Sequence, residues 1–193
     1  MRVPSLRQSL IPFCLSALTL FSLPALADAD HPHVRLETSQ GDIEVELDPE
    51  AAPKTVANFL RYVDEDFYAG TIFHRVMQDF MIQGGGMTAD LEQKETHAPI
   101  ALEKSGIDNT RGTLAMARTA NPDSATSQFF INLVDNGALN YRDLYNPGYT
   151  VFGHVVSGMD VVDKIAGTPT GRQGPHADVP RSPITIEGAE RID

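Results

Sequence analysis

From His33 to Leu47 apolar and polar residues alternate. Val34 and Leu36 fall on one parity, Arg35 and Glu37 on the other, and Ile43, Val45 and Leu47 resume the alternation past Ser39-Gln40-Gly41. Successive strand side chains point to opposite faces, so this pattern predicts an amphipathic hairpin with strands His33–Thr38 and Asp42–Leu47. The period then changes. Val56, Phe59, Leu60, Val63 and Phe67 recur at helical spacing across Ala52–Tyr68, with Pro53 near the start, where a missing N–H costs nothing.

Thr71–Met77 and Phe80–Gln83 read as strands separated by Gln78-Asp79, and three glycines end the second. Met87–Ile107 is polar and irregular apart from a short strand expected at Ile100–Glu103. Arg111–Arg118, Gln128–Val134, Tyr149–Gly158 and Pro183–Ile192 read as further strands. Asn121–Ser127 is turn chemistry, Asp135–Gly148 a loop, and Met159–Gly167 a short helix ended by glycine. Thr168–Arg181 carries three prolines and two glycines and is expected to be loop. About eight strands and two helices result. Strand follows strand through short connections, so the sheet should be mainly antiparallel, as a closed barrel or a sandwich; the pattern leaves both open.

The N-terminus departs from this scheme. Leu10–Leu23 is an apolar run between a basic start at Arg2 and Arg7 and the small-x-small triplet Ala25-Leu26-Ala27. A run of that length suits a secretory signal and is short for a membrane span. Residues 1–27 are therefore expected to be a signal peptide cleaved after Ala27, with 28–193 forming one domain. Cleavage would remove Cys14, the single cysteine, and with it any disulfide or zinc-thiolate chemistry. It would also remove Arg2 and Arg7, leaving 13 cations against 26 acids, a net charge of −13. Such a surface argues against nucleic acid or an anionic membrane as partner.

Several motifs carry little chemistry. Gly84-Gly85-Gly86 lacks the Lys-Ser/Thr of a phosphate cradle and reads as a tight exit from a strand. Asp64-Glu65-Asp66 offers a carboxylate pair for hydrolysis, but at a helix end it reads as a solvated face. Asp28–His33 has metal-binding residue types in what reads as a frayed terminus. FHRVMQDFMIQGGG (Phe73–Gly86) is different, because it sets one permanent cation among phenylalanines and methionines. Parity places Phe73, Arg75 and Met77 on one strand face, Met81 and Gln83 on one face of the next, and Gln128 and Phe130 opposite to Phe129. Converging, these faces would form an apolar floor carrying one guanidinium, with glutamine amides at its edge. His74 has the other parity and reads as a packed structural residue.

FHRVMQDFMIQGG, LAMART, SQFFI and YTVFGHVVSGMDVVDKI, in that order within Pro32–Ile192, resemble the cyclophilin family of peptidyl-prolyl cis-trans isomerases. The exported start and the GGGMTADLEQ region resemble its periplasmic members in Gram-negative bacteria. The resemblance implies a mainly β fold, a closed eight-stranded antiparallel β-barrel capped by two α-helices. It places the catalytic arginine at Arg75 and the proline-pocket residues at Phe80, Met81, Phe130 and Leu139. Gln83 and Gln128 fall on the substrate-contacting glutamines, Ala117 and Arg118 on the backbone that pairs with bound peptide, and Tyr149 on the pocket rim. The implied substrates are X-Pro bonds in unfolded or folding exported polypeptides, met in the periplasm without metal or cofactor. Ala138 stands where the eukaryotic branch often has tryptophan, so weak cyclosporin binding is expected. A monomer is the default expectation. The competing reading is a proline-motif binding module or holdase chaperone using the same groove; Arg75, which binding alone does not demand, separates the two.

Overall fold

A computed structural model describes residues 31–192; the expected signal segment and its cleavage site after Ala27 lie outside them. In chain order the elements are β1 (His33–Thr38), β2 (Gly41–Leu47), α1 (Pro53–Asp64), β3 (Thr71–Ile72), β4 (Arg75–Met77), β5 (Met81–Gly84), β6 (Thr113–Met116), β7 (Phe129–Asn132), β8 (Val151–Ser157), α2 (Met159–Ala166), β9 (Thr170–Gln173), β10 (His176–Pro180) and β11 (Thr185–Ile192). Nine of the strands form one antiparallel sheet in the order β3-β11-β1-β2-β8-β6-β7-β5-β4, and β9 and β10 pair separately.

The mainly β, antiparallel fold with two helices is as expected, and the main sheet has nine strands rather than eight. Thr71–Met77, expected as one strand, is two. β3 pairs with β11 at one edge of the sheet, and β4 pairs with β5 at the other. Between them the Phe73 N–H donates to the Ile184 carbonyl, and the Phe73 ring sinks fully into the core. That anchor turns the chain across from one edge to the opposite edge. The sheet is therefore strongly curled, with its first and last strands joined by residues 73–74 of one segment. Among the described residues no ladder pairs β3 with β4. The same break takes Phe73 off the face of Arg75, where parity had placed it.

Two further expectations change. Thr168–Arg181 is the hairpin β9–β10 rather than loop, with Gly174 at its tip and Pro180 in a two-stranded ladder, where a missing donor is tolerated. Its register shifts between His176 and Val179, where Asp178 takes a positive φ of 59°. Ile100–Glu103 forms only a single bridge, from Ile100 to Ala125. Glu103 instead caps α1. The helix begins after Ala52, which has no side chain to cap it. The Glu103 carboxylate accepts from the Lys54 N–H at 3.0 Å and from the Thr55 N–H and hydroxyl at 2.7 Å each. A carboxylate on the free N–H groups of a first turn is favoured by hydrogen bonding and by the helix dipole. The helix ends at Asp64, shorter than its apolar pattern suggested, and Phe67 continues that face from a turn by packing on Tyr62, centroids 4.6 Å apart.

Strand alternation sorts the apolar residues into two clusters. The main core takes Val34, Leu36, Ile43 and Val45 from the first hairpin, Val56, Phe59 and Val63 from α1, and Val162 and Ile165 from α2. Phe129 is central to it, meeting Phe59, Tyr68 and Phe73 edge-on at 5.6, 5.6 and 6.2 Å. The smaller cluster is Met81, Ala115, Ala117, Phe130 and Val151, with half-buried Met77, Phe80, Leu139 and Tyr149 around it. Phe129 and Phe130 thus face opposite ways, as parity predicts.

Candidate active site

Register builds the floor of the site. Arg75 lies opposite Gln83, Gln83 opposite Phe130, Phe130 opposite Ala115 and Ala115 opposite Val151. These five residues form one row across five strands. Directly opposed side chains stand about 4.5–5.5 Å apart at Cβ, so the row is a continuous surface. Met77 and Met81 form the neighbouring pair. Above this floor is a cavity of about 260 Å³ lined by Arg75, Phe80, Met81, Gln83, Ala117, Arg118, Phe130, Leu139 and Tyr149. Gln128 lines an adjoining groove of about 240 Å³, which shares Gln83, Ala117 and Arg118 with the cavity and adds Gln93, Thr119, Ser124 and Thr126. All ten residues singled out in the sequence therefore meet in one place.

Arg75 is held lightly. Its Nη2 donates to the Met77 thioether at 3.2 Å, and its Nε stands 4.0 Å from Asp178 Oδ2. A thioether is a weak acceptor, and the arginine side chain is 42% exposed. Gln83 does not hold the guanidinium. Its Nε2 donates instead to Gln128 Oε1 at 3.0 Å, which locks the two amides to each other. Gly86 makes room for this pair: a Cβ there would stand 2.8 Å from Gln128 Cδ.

The opposite wall is aromatic and cationic. Phe130 and Tyr149 meet edge-on at 5.6 Å, and the Arg118 guanidinium lies 4.6 Å above the Tyr149 ring. Arg118 donates through Nε and Nη2 to the Gly148 carbonyl, at 3.0 and 2.7 Å, and through Nη1 to the Thr119 carbonyl at 2.8 Å. Its fork is largely committed, while that of Arg75 is largely unspent.

Other residues that shape the site were not singled out in the sequence. Buried Asn132 donates to Asn109 Oδ1 and Thr113 Oγ1, and accepts from Asn136 Nδ2 at 2.7 Å. Asn136 also donates to the Phe80 carbonyl at 2.9 Å, and Asn109 to that of Leu139 at 3.2 Å. One asparagine network thus pins the backbone of two cavity residues from behind. Asp178 is the other addition. Residues 135–148, expected as loop, also hold a short 3-10 turn at Gly137–Leu139 that presents Leu139.

Away from the cavity, His74 is buried, as expected, and its Nδ1 has no partner. Burial, then the nearby His176 and Arg75 charges, push its pKa down to about 4, against the raising effect of a hydrogen bond that the ring donates to the Ile72 carbonyl. In the Asp64-Glu65-Asp66 segment two acids are in exposed ion pairs, Asp64 with Arg191 and Glu65 with Arg61 and His97. Those contacts match its reading as a solvated face. Among the described residues no group of three or more His, Cys, Asp or Glu could hold a metal ion.

Residues 33–191 match the family model described as cyclophilin type peptidyl-prolyl cis-trans isomerase/CLD. The chain is 51% identical over 179 residues to peptidyl-prolyl cis-trans isomerase A of Dickeya dadantii, covering 91% of this chain and 92% of that one. It is 55% identical over 157 residues to peptidyl-prolyl cis-trans isomerase B of Escherichia coli, covering 80% and 96%. Among solved structures, a cyclophilin type peptidyl-prolyl cis-trans isomerase of Cryptosporidium parvum superposes with a TM-score of 0.69 at 26% identity. It covers 84% of this chain and 98% of its own.

Proposed function

The chain belongs to the cyclophilin-type peptidyl-prolyl cis-trans isomerases, and on that premise we propose that it rotates X-Pro bonds of unfolded or folding exported polypeptides in the periplasm, after cleavage following Ala27. In this reading the proline ring seats among Phe80, Met81, Phe130 and Leu139, beneath the Tyr149 rim. Gln83, Gln128 and the Ala117–Arg118 backbone hold the flanking chain.

The chemistry follows from the amide. A peptide bond resists rotation by about 18–20 kcal/mol because nitrogen shares its lone pair with the carbonyl. Before proline both isomers are populated and exchange takes tens to hundreds of seconds unaided. Mid-rotation, conjugation is lost, the lone pair returns to nitrogen and charge separation falls. An apolar seat suits this less polar state. A donor aimed at the nitrogen finds a lone pair only when the amide is twisted, so it binds the transition state better than either planar isomer. No proton moves and no covalent bond forms, so the catalytic demand falls on one fixed donor.

Arg75 meets that demand. The observation that carries the assignment is its place in the floor row with most of its N–H groups uncommitted. A charge-assisted hydrogen bond contributes about 1.5–3 kcal/mol, which corresponds to roughly ten- to hundred-fold in rate. Arg75→Ala is expected to lose that factor in kcat/KM in an NMR exchange assay while keeping its fold. A folded variant with full activity would remove Arg75 from the mechanism and favour the binding-module reading. Ala138 is exposed in the turn that carries Leu139. Weak inhibition by cyclosporin belongs to the same proposal, as does a monomeric state.

A further inference from the structure

The charge of the groove runs against the charge of the chain. The sequence carries 26 acids and 15 lysines and arginines. The cavity and the adjoining groove are lined by two arginines, neutral side chains and no acid. Of the two, Arg118 lines both spaces. Its hydrogen bonds go to the carbonyls of Gly148 and Thr119, which fix its position without cancelling its charge. Among the described residues no carboxylate pairs with it. Two N–H groups of its five remain uncommitted. Stacking on Tyr149 and the fork on Gly148 hold it still, so a ligand carboxylate meets a cation that is already ordered.

We infer that Arg118 selects substrates with a carboxylate close to the proline, on the side of the peptide that runs over the adjoining groove. The substrate class is thus acidic X-Pro segments. The inference rests on the reading that the proline ring occupies the cavity. Arg118 lines the cavity itself as well as the groove, and extended chain advances about 3.3–3.6 Å per residue, so the selecting position lies within about three residues of the proline. A partly exposed charge pair sets a modest preference, about three- to ten-fold, that salt weakens.

The test is a set of short peptides carrying Glu, Gln or Lys one, two or three places from the proline, on either side. Their kcat/KM is read by NMR exchange, so that no coupling protease adds its own specificity. In 20 mM salt the wild type is expected to favour Glu over Lys by about five-fold at the best position, with Gln between. In 500 mM salt the ratio should shrink towards one. Arg118→Lys should keep the order, Arg118→Gln should flatten it and Arg118→Glu should invert it. Each ratio is internal to one variant, so a change in overall rate does not enter. Equal rates for Glu and Lys in wild type at every position would overturn the inference, as would faster turnover of Lys peptides or an order unchanged in Arg118→Glu. If no peptide is accelerated, the placement of proline in the cavity fails instead; if all are accelerated alike, only the charge selection fails.

Discussion

Arg75 Nε stands 4.0 Å from Asp178 Oδ2, and the two side chains are 42% and 41% exposed. The acid comes from β10, far along the chain, and meets the guanidinium at Nε, while Nη2 rests on Met77. An exposed pair of this kind contributes about 0.2–1 kcal/mol. Here its effect is orientation. Asp178→Asn keeps the shape, tolerates the positive φ and removes the charge. It is expected to lower kcat up to about five-fold, with KM unchanged and the melting temperature within about 2 °C of wild type. An unchanged kcat would show that Met77 and packing alone hold the guanidinium.

Gly86 and Gln128 make a second test. An alanine at 86 would press its Cβ into the Gln128 side chain and separate the two amides that join Gln83 to Gln128. Gly86→Ala should raise KM several-fold, and so should Gln128→Ala. The decisive variant carries both substitutions. If Gly86 acts by making room for Gln128, the double variant is no worse than Gln128→Ala, and the cycle shows strong non-additivity. Additive losses would show that Gly86 serves another purpose.

Adjacent phenylalanines should separate stability from activity. Phe129 is fully buried against three other rings, so Phe129→Ala is expected to cost about 3–5 kcal/mol in urea unfolding. Phe130 borders the cavity, where water can enter the space its ring leaves. Phe130→Ala should cost about 1–2 kcal/mol and raise KM much more than it lowers stability. The opposite order of stability losses would contradict the division into two cores.

Stability and activity should also part company with pH. His74 has a folded pKa of about 4, below its ordinary 6.5, because burial disfavours its charged form. Between those values the unfolded chain binds the proton more readily than the folded one. His74 therefore contributes stability in full above about pH 6.5, and that stability is lost as pH falls towards 4. The loss is on the order of 3 kcal/mol across the window, and urea melts at pH 7 and 4.5 would read most of it. A His74→Gln variant should flatten the dependence. The cavity lining holds no carboxylate or histidine, and the proposed step moves no proton. Accordingly kcat/KM should stay level from pH 6 to 8. A bell-shaped profile would require a proton-transfer step.

The sequence revealed what period-2 alternation could carry. Arg75, Gln83 and Phe130 fall in one row because each sits on the correct parity of its own strand, and parity is local. Where the chain breaks a strand, local reading fails. Phe73 shares parity with Arg75, but its anchor to Ile184 and to the core turns the backbone between them. Asp178 was hidden because three prolines and two glycines disguise a hairpin as loop. The asparagine network was hidden for a related reason. Asn109 and Asn136 lie in segments whose composition reads as turns, and only the tertiary fold brings them to Asn132. Charge selection by Arg118 depends on the absence of acids from residues scattered over five segments, which composition averages away.

β11 pairs with β1 on one side and β3 on the other, so the last strand among the described residues is an interior stave rather than an edge. In folding, the first hairpin can form early because its strands are neighbours in sequence. β3 cannot be seated until residues 185–192 are in place to pair with it. The floor row on β4 and β5 is continuous with β3 through two residues, so its final curvature waits for the same event. The site is therefore among the last parts of the fold to take shape, although β4 and β5 lie in the first half of the chain.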